Sequence, residues 1–470
     1  MGCGSSKKIK PPPSKPSNIV NNPSNPPPAP PSSSYSAFSK FSLGAYEVQS
    51  QILKIPYSVL YNAKQVSADL MRSLKVVDLS TTEGVSLNPK HLESEIKQLK
   101  SLDHINILKI HDMFPLENKF CIAMEPLNET IMLFDFITSL VTLKESNVAK
   151  VVSQILSAVS YCHSQKVIHR DLNPKLIFVT NRESFHVKIS EFGSSAFMDP
   201  ENKLVGKSFP KIFTAPEVFE NFYNEKCDLW SVGVIMCLML TGGLPGPEGE
   251  LSKVEGVNEG AVDLMKKLLK KDFKLRISAA EALKHPWLTL NQNENSSEIS
   301  QALLTLKEFT KDSIAQDSVR EFIATQIISY NDTQYFIENF QKLDSNNDGK
   351  ITKEELTEHY SKSMSPQDAK IKVDNIFEVA DRNKNGSLEF GEFVKGTMKK
   401  SSLLSLNNIE TAFKLLDKDN NHYLSVEELQ FLLGESADKT IRQVILEADV
   451  NNDGQISFSE FYMLLKKKYS

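Results

Sequence analysis

At 470 residues with 40% hydrophobic content, the chain is long enough for about three domains with packed cores, which excludes a fibrous or wholly disordered protein. A formal net charge of -5 argues against a general nucleic-acid binder, which carries a basic balance and a basic face. Five cysteines (Cys3, Cys121, Cys162, Cys227 and Cys237) show no paired spacing, so they read as reduced thiols rather than a disulfide framework.

Residues 1–45 hold ten of the 22 prolines and no regular apolar period, which predicts a disordered tail. The tail is purely cationic: Lys7, Lys8, Lys10, Lys15 and Lys40 precede the first acidic residue, Glu47. Its start, MGCGSS, fits the myristoylation pattern through Gly2 and Ser6, with Cys3 beside it for a palmitoyl chain. One acyl chain binds a bilayer marginally, whereas two chains plus Lys7, Lys8 and Lys10 anchor stably to an anionic leaflet. The expected location is therefore the cytoplasmic side of a membrane, and otherwise the cytoplasm.

Between residues 46 and 288, β-like stretches come first (Tyr46 to Val77, Lys119 to Met124) and helical periods follow (Ala149 to Ser164, Ala261 to Lys270). This predicts a small, mostly β lobe and a larger α lobe. The longest apolar run, Leu229 to Leu240, is too short to span a bilayer and reads as a buried core helix. Residues 289–330 form a junction: a polar patch, Asn291 to Ser297, precedes an amphipathic stretch carrying Leu303, Leu304, Leu306, Phe309, Ile314, Val319, Phe322 and Ile323 at mostly helical spacing.

From residue 331 one pattern repeats four times, an Asp/Asn-rich loop between apolar helices, giving two pairs at 331–400 and 401–470. Each loop matches the twelve-residue calcium loop, whose oxygens at positions 1, 3, 5, 7, 9 and 12 surround a hard cation and whose position 6 is glycine. The first, DSNNDGKITKEE, offers Asp344, Asn346, Asp348, the Lys350 carbonyl and Glu355. The second, DRNKNGSLEFGE, offers Asp381, Asn383, Asn385, Ser387 and Glu392. The last, DVNNDGQISFSE, offers Asp449, Asn451, Asp453, Gln455 and Glu460. The third, DKDNNHYLSVEE, keeps Asp417, Asp419, Asn421, Tyr423 and Glu428, but His422 stands where glycine belongs. That predicts a side chain forced into the left-handed conformation and weaker binding there. Up to four Ca2+ ions are expected. Ile351, Leu388, Leu424 and Ile456, at loop position 8, are expected to pair loop one with two and three with four.

Residues 46–288 resemble a eukaryotic protein kinase, through Lys75 in SLK, Glu95 in SEI, HRD at His169 to Asp171, FG at Phe192 and Gly193, APE at Ala215 to Glu217, DLWSVG from Asp228 and Arg276 in KLRIS. With the junction and four calcium loops after it, the order resembles the calcium-dependent protein kinases. The resemblance implies an α+β fold: a bilobal kinase-like domain followed by an all-α, calmodulin-like domain of two EF-hand pairs. It implies that Lys75, paired with Glu95, grips nucleotide phosphates and that Asp171 accepts the substrate proton. It also implies that Glu217 and Arg276 form a structural ion pair, with ATP and Mg2+ as possible cofactors. Ser73 before Lys75 and Met124 near the hinge leave an adequate adenine pocket. The junction, about 297–330, is expected to occlude the cleft at rest and to be captured by the calcium-loaded EF-hands.

The phosphate-handling positions depart from this pattern. Leu53, Ile55 and Ser58 replace the three glycines of the phosphate loop, Leu176 replaces the metal-binding Asn, and Asn173 replaces the catalytic-loop Lys. Glu191 stands for the metal-binding Asp, one methylene longer. Pro210 takes the place of a Thr before APE, Met132 lies near an acidic substrate-binding position, and the stretch from Gly242 to Asp263 is short for a substrate-docking helix. Phosphoryl transfer depends on positioning and charge neutralisation, so these losses predict weak or no activity. The reading is a membrane-tethered, calcium-responsive pseudokinase acting as a scaffold or allosteric module on protein partners. The rivals are an active calcium-stimulated Ser/Thr kinase acting on protein substrates and a calcium buffer. No nucleic acid is expected as a partner.

Overall fold

The computed structural model describes residues 40–55, 58–79, 99–100, 102–127, 130–139, 143–190, 196–197, 212–220, 223–252, 254–290, 306, 314–328, 330–433 and 445–466. Gly2, Cys3, Glu95, Glu191, Phe192, Gly193, Pro210, Leu303, Leu304 and Phe309 lie outside the described residues.

The first lobe is one antiparallel sheet of six strands: β1 (Phe41–Leu43), β2 (Tyr46–Ile55), β3 (Ser58–Gln65), β4 (Leu70–Asp78), β5 (Ile110–Leu116) and β6 (Lys119–Met124), in the order β1-β2-β3-β4-β6-β5. Alternation along β4 and β6 divides their side chains between two faces, the period-2 rule of a pleated strand. Leu74, Val76, Cys121 and Ala123 join a small cluster with Leu43, Tyr46, Val48 and Ala63. Val77, Phe120, Ile122 and Met124 face the other way, into a larger core that continues through the helical lobe. Ser73 and Lys75 share the parity of Val77 and are buried, which directs them to the cleft between the lobes.

The helical lobe is built around Glu145–Ser164 and Cys227–Thr241. In the second of these, every residue from Cys227 to Cys237 is buried, as the apolar run requires. Between Thr241 and Glu259 the described residues form no helix, so the short segment carries turns only. No helix among the described residues is long and apolar enough to cross a membrane.

A second core gathers the junction helix, Ile314–Gln326, and the EF-hand helices. Val319, Phe322, Ile323 and Ile327 from the junction pack with Phe340, Phe393, Leu429 and Phe461 from both hand pairs. Short strands pair Ile351 with Leu388 and Leu424 with Ile456, the couplings expected of loops one with two and three with four.

Candidate functional site

Each calcium loop is closed by its own carboxylates. The side chain of the first aspartate accepts the backbone N–H of loop position 6: Gly349 to Asp344 at 2.8 Å, Gly386 to Asp381 at 2.9 Å, His422 to Asp417 at 3.0 Å and Gly454 to Asp449 at 2.9 Å. The closing glutamates reach back to N–H groups near the loop start, as Glu428 does from Lys418 at 2.8 Å and Glu460 from Val450 at 3.0 Å. All four loops thus share one backbone path although the third lacks glycine. His422 takes φ +69° and turns its ring outward, while the equivalent Gly349, Gly386 and Gly454 take φ +80° to +82°.

The donor set fits a hard cation. In the third loop, oxygens of Asp417, Asp419 and Glu428 lie within 4.8 Å of one another. In the first, burial together with Asp348 and Glu355 pushes the Asp344 carboxyl well above the usual range, a repulsion that a divalent ion relieves.

The junction helix is held by both hand pairs. Gln316 Nε2 donates to the Leu464 carbonyl at 2.9 Å, and the fully buried Lys395 Nζ stands 3.3 Å from Asp317 and 3.7 Å from Glu321. Arg382 pairs with Glu321 and donates to Ser318 Oγ at 2.9 Å. At its C-terminal end, the Gln326 carbonyl accepts from Arg72 of β4 at 2.6 Å, and its side chain meets His111 of β5 at 2.6 Å. The helix therefore bridges the EF-hands and the strand lobe.

A further contact, not foreseen from the sequence, joins the first hand pair to the turn before β5. Asp103 accepts the Gly391 N–H at 2.9 Å, and Lys350 lies over the Tyr161 ring at 5.4 Å. Ile105 from that turn is buried in the EF-hand core rather than in its own lobe. Gly349 abuts His104 so closely that a Cβ there would run into the ring. An apolar residue in a short polar turn, D-H-I-N, was the available signal.

In the kinase-like cleft, the retained framework is in place. Asp228 accepts the backbone N–H groups of His169 at 2.9 Å and Arg170 at 2.8 Å, fixing the HRD turn, in which Arg170 has φ +67°. Arg276 forks onto Glu217 with contacts of 2.5 and 3.0 Å, both side chains buried. Lys75 is buried on β4.

The departures are equally plain. β2 and β3 pair with Ile55 opposite Ser58, so Leu53, Ile55 and Ser58 carry side chains at the positions where glycines would let phosphates approach the backbone. Leu176 is buried, and its carbonyl accepts from both the N–H and the hydroxyl of Ser190 at 2.9 Å. Asn173 donates to Asp171 Oδ1 at 3.1 Å, so it holds the Asp171 carboxylate without supplying the cation of a lysine. Met132 lies in a two-residue strand opposite Phe178.

Comparison with known proteins matches the protein kinase domain family over residues 46–288 and the EF-hand domain pair over 333–398 and 406–466. The chain is 31% identical over 408 residues to calcium-dependent protein kinase 4 of Plasmodium berghei (strain Anka), covering 79% of this chain and 77% of that protein. It shows the same identity and coverage with calcium-dependent protein kinase 4 of Plasmodium falciparum (isolate 3D7). To calcium-dependent protein kinase 33 of Arabidopsis thaliana it is 32% identical over 362 residues, covering 71% of this chain and 68% of that one. A kinase domain, an EF-hand-bound junction helix and four calcium loops in this order place the chain in the calcium-dependent protein kinase family, as a calcium-binding member.

Proposed function

We propose that the chain is a calcium-switched scaffold whose kinase-like domain transfers little or no phosphate. The observation that carries this reading is Leu176: at the position that must offer an oxygen to a metal, the side chain is hydrocarbon and buried, and the backbone carbonyl already accepts twice from Ser190. Metal-bridged phosphates are central to phosphoryl transfer, and the side chains of Leu53 and Ile55 obstruct the close approach of phosphate to backbone that glycines would allow. When bound, Mg2+ and ATP would supply the charge neutralisation and the phosphoryl group. Among the described residues, Lys75 and Asp171 are the ones that would receive them.

Calcium acts on the junction helix. With ions in the four loops, the apolar faces of both hand pairs hold Ile314–Gln326, and Gln326 ties the assembly to Arg72 and His111. Without calcium, like-charged carboxylates repel and the hold weakens, which changes the surface the kinase-like domain presents to protein partners. Acylation at Gly2 and Cys3, with the tail lysines, tethers the chain to a membrane.

Hydrogen exchange on the full chain tests the switch. Protection across residues 314–326 and at Arg72 and His111 is expected to rise when calcium is added. Unchanged protection sinks the switch and favours the calcium buffer. The tether is read separately: Gly2→Ala should release the chain from anionic vesicles when it is made in a cell that acylates proteins.

A further inference from the structure

We infer that Ser73 shuts the slot between the lobes to purine bases, so that the chain is closed to nucleotide at the base as well as at the phosphates. Residues 125–127 connect β6 to the helical lobe and supply the backbone edge that a base in this slot would meet. A purine needs at least one N–H donor there for a ring nitrogen. The Glu125 N–H donates to the Lys109 carbonyl at 3.0 Å, and Pro126 has no N–H. The Leu127 N–H donates to Ser73 Oγ at 2.9 Å, with Ser73 fully buried. Every backbone donor across 125–127 is therefore engaged within the protein.

The serine oxygen takes the N–H that the acceptor nitrogen of a base would need. A base must displace it, exchanging one hydrogen bond for another and leaving a buried hydroxyl to find a new partner. On the carbonyl side, Leu127 O already accepts from Thr130 Oγ1 at 2.8 Å. From the sequence alone, Ser73 and Met124 leave the pocket adequate; the contact to Leu127 reverses that reading for Ser73.

The inference deepens the proposed loss of phosphate transfer and rests on the same cleft, yet it fails separately. Adenosine is the probe, because it tests the base without phosphates or metal. Wild-type full-length protein with calcium is expected to give no saturable calorimetric signal with adenosine. Ser73→Ala should bind it at least about tenfold more tightly, about 1.4 kcal/mol, while the Leu127 amide exchanges faster. Ser73→Cys, a weaker acceptor of similar shape, should fall between them and serves if the alanine variant does not fold. Adenosine binding by the wild type overturns the inference, even if no phosphate is transferred. So does a faster Leu127 exchange in Ser73→Ala without any gain in binding, and so does an unchanged Leu127 exchange. Phosphate transfer from ATP by the wild type would overturn both the inference and the scaffold reading, whereas adenosine binding without transfer overturns the inference alone.

Discussion

The Gly391 N–H donates to Asp103 Oδ2 at 2.9 Å, joining the second calcium loop to the turn that enters β5 of the kinase-like lobe. Beside it, Ile105 inserts into the EF-hand core. The pair sets the calcium-binding half directly against the strand lobe. Ile105→Asp places a charge in that core, which costs several kcal/mol unless the contact opens. The expected result is faster hydrogen exchange across residues 103–107 and 387–392, with the helix Cys227–Thr241 unchanged. Equal exchange in both proteins would mean that the turn does not dock.

The Glu217–Arg276 pair is buried at both ends, at 5% and 0% exposure. Removing one partner strands the other, so Glu217→Ala should lower stability by about 3–5 kcal/mol. Urea unfolding with calcium present measures this. A loss below about 1 kcal/mol would mean that the Lys226 and Lys270 carbonyls, which also accept from Arg276, suffice to hold it.

His422 holds a left-handed backbone that favours glycine. Relieving about 1–2 kcal/mol of strain with His422→Gly should tighten calcium binding at the third loop by about fivefold to thirtyfold. Calcium calorimetry of the two full-length proteins reads it. No change would show that the ion-free loop carries the same strain as the loaded one.

Burial holds His104 down at about 3, with Lys188 and Lys350 adding to the effect, and burial also puts His111 well below the ordinary imidazole range. Both stay neutral in the fold and gain protons more readily when unfolded. Their stabilisation is therefore fully present above about pH 6.5 and lost as pH falls toward the folded values. Between about pH 6.5 and its folded value each histidine removes about 1.4 kcal/mol per pH unit. Urea unfolding at neutral and mildly acidic pH should show this slope, and His104→Asn should make it shallower. A slope that the substitution leaves unaltered would place the acid sensitivity elsewhere.

Much of this architecture is written locally. The calcium loops are contiguous twelve-residue patterns whose ligands and turn residue are all visible in one stretch, so even the strain at His422 is legible. The Glu217–Arg276 pair joins distant positions, and it was legible only because each sits in a short recognisable motif. What escaped depends on partners brought in from elsewhere in the chain. Ser73 looks like a small, tolerable residue in a strand until Leu127 arrives from another element to bond it. Ile105 stands out only as an apolar residue in a polar turn, and sequence patterning records that a residue is buried, not by which domain. Asn173 is visible as a lost lysine, but its new bond to Asp171 depends on the turn geometry of the loop.

The most direct test of the account is phosphate transfer from labelled Mg-ATP to the full-length chain and to a basic peptide, with and without calcium, beside Asp171→Asn. The account predicts wild-type transfer no greater than that of the Asp171→Asn control in either condition. Calcium-stimulated transfer that the substitution abolishes would contradict it, and would make the chain an active kinase that manages without an oxygen ligand at Leu176.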